Sequence, residues 1–297
     1  MAGTLYLVGT PVGNLEDITE RARRVLSEVD LVAAEDTRRT GRLLQWLGIR
    51  TKLVSFFEGN EEERVGKLLE SLRAGSNVAV VSDAGMPSVS DPGYRIVAAC
   101  LDAGIEVDVV PGPSSAIAAL VVSGLPTDRF VFEGFLPRSG SGRRQRLAAL
   151  ASDSRTVVLF ESPRRLARTL SDLLDESGDR RVAVARELTK LHQEVIRGRL
   201  SEVLETVRGR ELKGEVVVVV EGATVAAGEA IGDESSAVGL ASDFVRSGAK
   251  KREAARRAAG LTGIPAGRIY DALVSRDYGI EAGSKRASRG RRADRSE

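Results

Sequence analysis

Along the first 110 residues, short aliphatic runs alternate with longer stretches in which apolar residues return every three or four positions. The runs occupy 5–8, 31–34, 53–54, 78–81 and 107–110. Between them, Ile18, Ala22, Val25, Leu26 and Val29 mark one amphipathic helix, and residues 40–46 continue a second. Val65, Leu68, Leu69 and Leu72 share a face of 61–73, and Tyr94, Val97, Ala98 and Leu101 recur at helical spacing with Pro92 in the first turn. Strand, helix, strand in this rhythm predicts an α/β fold with a parallel, doubly wound sheet.

The pattern changes after Gly124-Leu-Pro-Thr-Asp128. Strands are expected at 130–133, 156–160, 182–185, 194–197 and 216–221, with helices at 143–151, 164–174 and 201–207. The last three strands lie close together, which predicts a mixed sheet with antiparallel hairpins. The divisions expected are an N-terminal α/β domain at 1–124 and a second mixed α/β domain at 125–222. A linker rich in Ala, Gly, Ser and acids follows at 223–239. A helix-turn-helix-like module at 240–280 comes next, with helices at 241–246, 251–259 and 265–274 and a turn at 260–263. A basic, disordered tail closes the chain at 281–297.

Composition narrows the chemistry. Cys100 is the only cysteine and His192 the only histidine of 297 residues, so no disulfide, no histidine-cysteine zinc cluster and no metal site is expected. No apolar run approaches the length of a membrane span and the start lacks a signal peptide, so a cytoplasmic protein with a packed thiol is expected. The net charge of +2 conceals an asymmetry: positions 240–297 hold 14 Lys+Arg against 7 Asp+Glu. A basic end on an acidic body suggests an anionic partner such as nucleic acid.

Four loops leave successive strands of the first sheet with unusual residues: 9–14, 35–38, 82–93 and 111–115. The third holds two Asp, two Gly, two Pro and three Ser. Loops at the carboxyl edge of a parallel sheet are where ligands bind, so a pocket for a small polar and planar molecule is expected there. Taken singly, each loop is equally a crossover turn with capping residues. Gly9 and Gly13 do not make a dinucleotide fingerprint. Asp36 reads either as a helix cap or as a group that orients a hydroxyl, and Arg38 as a phosphate ligand. In 186–190, Lys190 reads as a base if its proton affinity is lowered and as a phosphate ligand otherwise. The segment 139–146 reads as a glycine-rich lid with RNA-contacting arginines, or as a solvated helix start.

With these residues in view, the chain resembles the ribosomal RNA small subunit methyltransferase I family, 16S rRNA cytidine 2′-O-methyltransferases of the tetrapyrrole-methylase-like class. The resemblance rests on Gly3-Thr-Leu-Tyr-Leu-Val-Gly-Thr-Pro-Val-Gly-Asn-Leu-Glu-Asp-Ile18, Ala34-Glu-Asp-Thr-Arg38 and the loop 82–93. Pro111-Gly-Pro113, Gly134-Phe-Leu-Pro137, Glu161-Ser-Pro163 and Arg186-Glu-Leu-Thr-Lys190 continue it in order over 3–285. It implies a two-domain architecture, a homodimer, and S-adenosylmethionine held between the domains. Pro11, Ser82, Asp83, Ala84, Gly85, Pro87, Pro111, Gly112, Ser114 and Ser115 would line the cofactor site, with Phe160 and Leu188 across the cleft. The partner implied is 16S rRNA within the 30S subunit. Arg38, Arg143, Arg144, Arg146, Lys250, Lys251 and Arg252 are the candidate RNA contacts, and Lys190, Glu187 and Asp36 the candidate catalytic groups. The chain departs from the family at 56–60, at Met86 and at Arg164, which weakens any mechanism that needs histidine. Two other readings stand beside this one: methylation of a small tetrapyrrole, and a nucleic-acid-binding regulator whose α/β body senses a ligand.

Overall fold

Five short parallel strands make the first sheet of the computed structural model, which describes residues 1–223 and 234–277. They are β1 (Leu5–Val8), β2 (Leu31–Ala34), β3 (Lys52–Ser55), β4 (Val78–Val81) and β5 (Val107–Val110), in the order β3-β2-β4-β1-β5. Helices α1 (Glu20–Glu28), α2 (Thr37–Leu47), α3 (Glu61–Arg73) and α4 (Tyr94–Asp102) are the crossovers. β4 is buried along its whole length because both sheet faces are covered, which is why it reads as an unbroken aliphatic run. One face packs against α1 and α2, the other against α3 and α4.

Helix α4 is rotated from the face its spacing suggested, so that of that stripe only Val97 packs against the core. Ile96 and Cys100 enter the core, while Tyr94 is 75% and Leu101 63% exposed. Pro92 lies before the helix, and Gly93 occupies the cap position. The Cys100 thiol is buried as expected, and burial pushes its pKa up to about 11.

The second sheet comprises β6 (Phe130–Phe135), β7 (Thr156–Glu161), β8 (Arg181–Arg186), β9 (Glu194–Arg199) and β10 (Val216–Val220), in the order β6-β7-β10-β8-β9. Only β6 and β7 run parallel; the other pairs are antiparallel. Its helices are α5 (Ser115–Ser123), α6 (Gly140–Ser152), α7 (Pro163–Ser177) and α8 (Leu200–Val207). The expected division at residue 124 leaves α5 with the first sheet, yet Ala116, Ala119 and Leu120 pack on Val158, Ala183, Ala185, Val217 and Val219. Small side chains let this helix lie close to the second sheet. Both sheets therefore belong to one compact unit, Met1–Ala223.

The segment 139–142 is not a lid. It is the start of α6, and Arg143 points inward at 3% exposure. Its guanidinium donates to Asp172 at 2.7 and 2.8 Å, to Thr169 Oγ1 at 3.0 Å and to the Pro137 carbonyl at 3.1 Å. A buried, fully partnered arginine cannot reach RNA, so Arg143 is a structural residue. Arg144 and Arg146 are exposed, the latter paired with Glu133 at 2.8 Å.

Described by itself, the second unit holds α9 (Glu234–Arg246), α10 (Lys251–Thr262) and α11 (Ala266–Asp277). Ala237, Val238, Ala241, Ala254, Ala255, Ala258, Ile264, Ile269 and Leu273 form its core. Helix α9 begins inside the expected linker. Helix α10 runs through Gly260 and ends at Gly263, whose left-handed φ of 73° terminates it. The rest of the linker up to residue 233 and the basic tail lie outside the described residues.

Replacing Arg143 with alanine removes the close ion pair of the Asp172 carboxylate and the donor to the Thr169 hydroxyl. Denaturant unfolding should show a loss of about 3 kcal/mol, whereas Arg144→Ala should change stability little.

Candidate active site

The loops leaving β1, β4 and β5 are pressed together at the carboxyl edge of the first sheet. Thr10 and Gly85 exchange backbone hydrogen bonds of 2.9 and 3.0 Å, and the Thr10 hydroxyl donates to the Ser82 carbonyl at 3.1 Å. Gly9 and Gly112 touch backbone to backbone: a Cβ on Gly9 would lie 2.7 Å from the Gly112 Cα. The loop 82–93 is held with Ser88 and Ser90 at φ of 71° and 64°. Left-handed serines are costly and concentrate where a fold over-determines its backbone for a purpose. Glu187 and Thr189, on the facing loop after β8, are left-handed as well, at 51° and 63°.

Two adjoining clefts open at this edge. The first, about 350 Å³, is walled by Asp83, Ala84, Gly85 and Met86 on one side and by Phe160, Val216 and Val217 on the other. Ser114, which caps α5, and Ser115 complete it. The Phe160 ring lies edge-on to Phe132 and tilted against Phe135, with centroids 4.9 and 5.6 Å away. Glu35, Asp83, Asp91, Glu161 and Glu215 bring five carboxylates to this lining, and it contains no basic side chain. The second cleft, about 420 Å³, contains Pro11, Arg39, Arg42 and Lys190, and shares Asp83, Ala84 and Glu215 with the first.

The expected cofactor residues divide into wall and support. Asp83, Ala84, Gly85, Ser114, Ser115 and Phe160 line the first cleft, and Pro11 lines the second. Ser82, Pro87, Pro111, Gly112 and Leu188 line neither. Ser82 and Gly112 hold the loops against each other, and Leu188 is buried in the core beneath α5.

The expected catalytic groups are tied up. Asp36 caps α2 and accepts from the Arg38 backbone N–H at 2.8 Å and its guanidinium at 2.9 and 3.1 Å. The Arg38 side chain, then its N–H, holds the Asp36 carboxyl down to about 2. Neither Asp36 nor Arg38 lines a cleft, so the capping reading of this pair is the one realised. Glu187 folds over Gly214, where any Cβ would collide with its carboxylate, and accepts from Lys190 Nζ at 2.9 Å and Glu215 N–H at 3.0 Å. Burial works against its charge, but these donors prevail and its pKa is lowered. Lys190 also reaches Glu215 at 3.2 Å. Burial pulls its pKa down, yet the two carboxylates outweigh that and hold it above the ordinary lysine value. Lys190 is thus an ammonium at neutral pH.

Several lining residues were not assigned to the site from the sequence, although 134–137 and 161–163 were in view as motifs. Phe135 and Glu161–Pro163 end the parallel pair β6 and β7, so the same edge rule, applied to the second sheet, would have found them. Glu215 carries no local signal; it enters because β10 runs antiparallel to β7, pairing Val216 with Glu161. Asp91 was in view within its loop, but its environment is tertiary. Burial first, then the charge of Glu35, and further those of Asp83 and Glu215 against a Ser82 hydrogen bond, push its pKa up to about 6. Glu35 is raised too, chiefly by burial. No group of three or more metal-binding side chains suited to a metal ion occurs among the described residues.

A cleft between a parallel sheet and a mixed sheet, walled by the strand-end loops of both, marks an α/β protein with a small-molecule site at its strand ends. Residues 4–204 match the family model of tetrapyrrole (corrin/porphyrin) methylases. The chain is 53% identical over 220 residues to ribosomal RNA small subunit methyltransferase I of Thermotoga maritima, covering 74% of this chain and 99% of that one. It is 46% identical to the Mycobacterium tuberculosis protein of that name, over 92% of this chain and 95% of the other. Among solved structures, uroporphyrin-III C-methyltransferase of Thermus thermophilus complexed with S-adenosylhomocysteine superposes with a TM-score of 0.54 at 25% identity, covering 74% and 97% of the two chains. The chain belongs to the tetrapyrrole methylase family and, within it, to the ribosomal RNA small subunit methyltransferase I group. It is a methyltransferase, and S-adenosylmethionine is its methyl donor.

The raised Asp91 pKa has a consequence for stability. Folding favours the protonated carboxyl, so stability is lost as pH rises through about 6. Asp91→Asn should therefore raise the melting temperature at pH 8 and change it little at pH 4.5, read by calorimetry at both values.

Proposed function

We propose that this enzyme methylates the ribose 2′-hydroxyl of a cytidine in the decoding region of 16S rRNA, acting on the 30S subunit. The observation that carries the reading is the pair of adjoining clefts, one with acidic side chains and no basic one in its lining, the other bringing Arg39, Arg42 and Lys190 beside the acids the two share. A lining of five carboxylates without a cation suits the sulfonium and ammonium groups of the donor. Arg39, Arg42 and Lys190 suit the phosphates on either side of the acceptor nucleotide. Because the clefts share Asp83, Ala84 and Glu215, a ribose in the first can remain continuous with backbone in the second.

The residues present fit the donor. Gly85, Ser114, Ser115, Phe160 and Val217 would hold it, with apolar and aromatic surface for an adenine and hydroxyls for a ribose or carboxylate. When bound, it supplies an electrophilic methyl group on positively charged sulfur. The protein's own work is positioning, since an in-line displacement needs the acceptor oxygen aligned. Lys190 contributes a fixed positive charge that can grip a phosphate. The relatives named for ribosomal RNA, 46–53% identical, favour an RNA substrate over a small tetrapyrrole.

The helical unit and the exposed Arg144 and Arg146 belong to the same reading as RNA contacts. Lys250, Lys251 and Arg252 stand at the start of α10, where the helix dipole disfavours positive charge. Such a cluster suits an anionic partner better than it suits the helix. A cytoplasmic homodimer is the assembly we propose, with the Tyr94 and Leu101 face of α4 as an apolar surface for a second copy; a monomer in sedimentation at micromolar concentration would contradict it.

Purified enzyme with methyl-labelled S-adenosylmethionine should label unmodified 30S subunits or 16S rRNA on a cytidine ribose, located by nuclease digestion and mass spectrometry. Absence of label on both would refute the reading. Arg39→Ala or Lys190→Ala should each raise KM for RNA by roughly tenfold and reduce its salt dependence by about one phosphate contact. The affinity for S-adenosylmethionine should stay unchanged in Arg39→Ala.

A further inference from the structure

We propose that Asp91 is the catalytic residue that accepts the proton of the hydroxyl receiving the methyl group. The inference rests on the proposed hydroxyl methylation and deepens it by naming the base. A hydroxyl is a poor nucleophile, and its attack needs a proton acceptor inside the cleft where the methyl group is delivered. Asp36 lies outside that cleft, Glu187 is spent on Lys190 and the Glu215 N–H, and Lys190 is already protonated. Of the carboxylates that do line it, three are ion-paired. Asp83 is paired with Arg39 at 3.3 Å, Glu215 with Lys190 at 3.2 Å, and Glu161 with Arg165 at 3.2 Å and the Thr169 hydroxyl at 2.6 Å. Glu35 and Asp91 form no ion pair among the described residues. The Glu35 carboxylate accepts the Asp83 N–H at 3.2 Å and so has part of its acceptor capacity engaged.

The backbone on both sides of Asp91 is constrained. Ser88 and Ser90 before it are left-handed, and the side chain of Ser90 lies against Gly134 of β6, in the facing sheet. After it, the Gly93 N–H donates to the buried Glu61 carboxylate at 3.1 Å, with Arg95 3.9 Å from that carboxylate. Strain of this kind is retained when it aims a neighbouring group. The groups facing Asp91 are Glu35 after β2, Asp83 and the Ser82 hydroxyl after β4, and Glu215 before β10. Their combined charge, added to burial, leaves a carboxylate with a pKa of about 6, ionised at neutral pH yet far more basic than a free aspartate. That is the compromise an effective general base requires.

The step balances within these groups. A lone pair of the acceptor oxygen forms the new O–C bond as the C–S bonding pair stays on sulfur, leaving a neutral thioether. The hydroxyl proton passes to an Asp91 carboxylate oxygen and is released to solvent when the product leaves.

The test combines activity with a direct titration. For wild-type enzyme on 30S subunits, kcat/KM should fall tenfold per pH unit below about pH 6. Asp91→Asn should lose at least about a hundredfold in kcat and lose that acid limb, while calorimetry still detects binding of S-adenosylmethionine. In protein labelled with ¹³C at aspartate carboxyls, one signal should titrate near pH 6, vanish in Asp91→Asn, and move to lower pH in Glu35→Gln as the neighbouring charge is removed. Wild-type rates in Asp91→Asn would overturn the proposal, as would an acid limb that persists in that variant or a folded variant that no longer binds the donor. If wild-type enzyme labels no RNA, the proposed function fails first, and that failure is distinguishable because the carboxyl titration does not depend on it.

Discussion

The cleft exists because the loops after β1, β4 and β5 lie against one another with almost no side chain between them. Gly9 and Gly112 meet backbone to backbone, and Thr10 is hydrogen bonded to Gly85. That contact fixes where β5 hands the chain to α5, and α5 is the helix that leaves the first sheet to pack on the second. The same stretch of chain therefore closes the loop cluster and orients the facing wall. A side chain at either glycine would separate the loops, and the α5 N-terminus with Ser114 and Ser115 would move with them.

On this scaffold the charges are sorted rather than mixed. Carboxylates from four loops converge on the first cleft, while the arginines of α2 and Lys190 of the opposite loop sit in the second. Three of the carboxylates spend their charge on Arg39, Lys190 and Arg165. Each pair braces one wall, Asp83 with Arg39 beside the first sheet and the other two beside the second, so they are structural as much as electrostatic. What remains, Glu35 and Asp91, is held partly dehydrated and close to like charge, which raises both proton affinities. The fold gives up stability at neutral pH to keep a basic carboxylate there, a trade common at active sites.

Much of this was legible from patterns of short range. Strands β1, β2, β4 and β5 and helix α3 were read to the residue, because apolar runs and helical stripes are local signals. So was the site's general location, since strand-end loops crowded with Gly, Pro, Ser and Asp announce themselves. Side-chain direction was not. The spacing in α4 was read as a stripe through Tyr94, Val97, Ala98 and Leu101, whereas packing turns Ile96 and Cys100 to the core and leaves Tyr94 and Leu101 exposed. Arg143 looked like its neighbours Arg144 and Arg146, but a helix puts consecutive residues on different faces and Asp172 was waiting on α7. In the motif 186–190, read as holding a base or a phosphate ligand, the carboxylates of Glu187 and Glu215 keep Lys190 an ammonium. Glu215 and the environment of Asp91 depend on an antiparallel strand pairing and on contacts across the cleft, neither of which has a sequence period.

The central claim is that the donor and the acceptor hydroxyl meet in the cleft between the two sheets, against the loop 82–93. A crystal structure of the enzyme with S-adenosylhomocysteine tests it most directly. The account predicts the ligand in the first cleft, in contact with Gly85, Ser114 or Ser115 on one side and Phe160 or Val217 on the other, with its sulfur on the side of Asp91. Ligand density confined to the second cleft, among Arg39, Arg42 and Lys190, would contradict it.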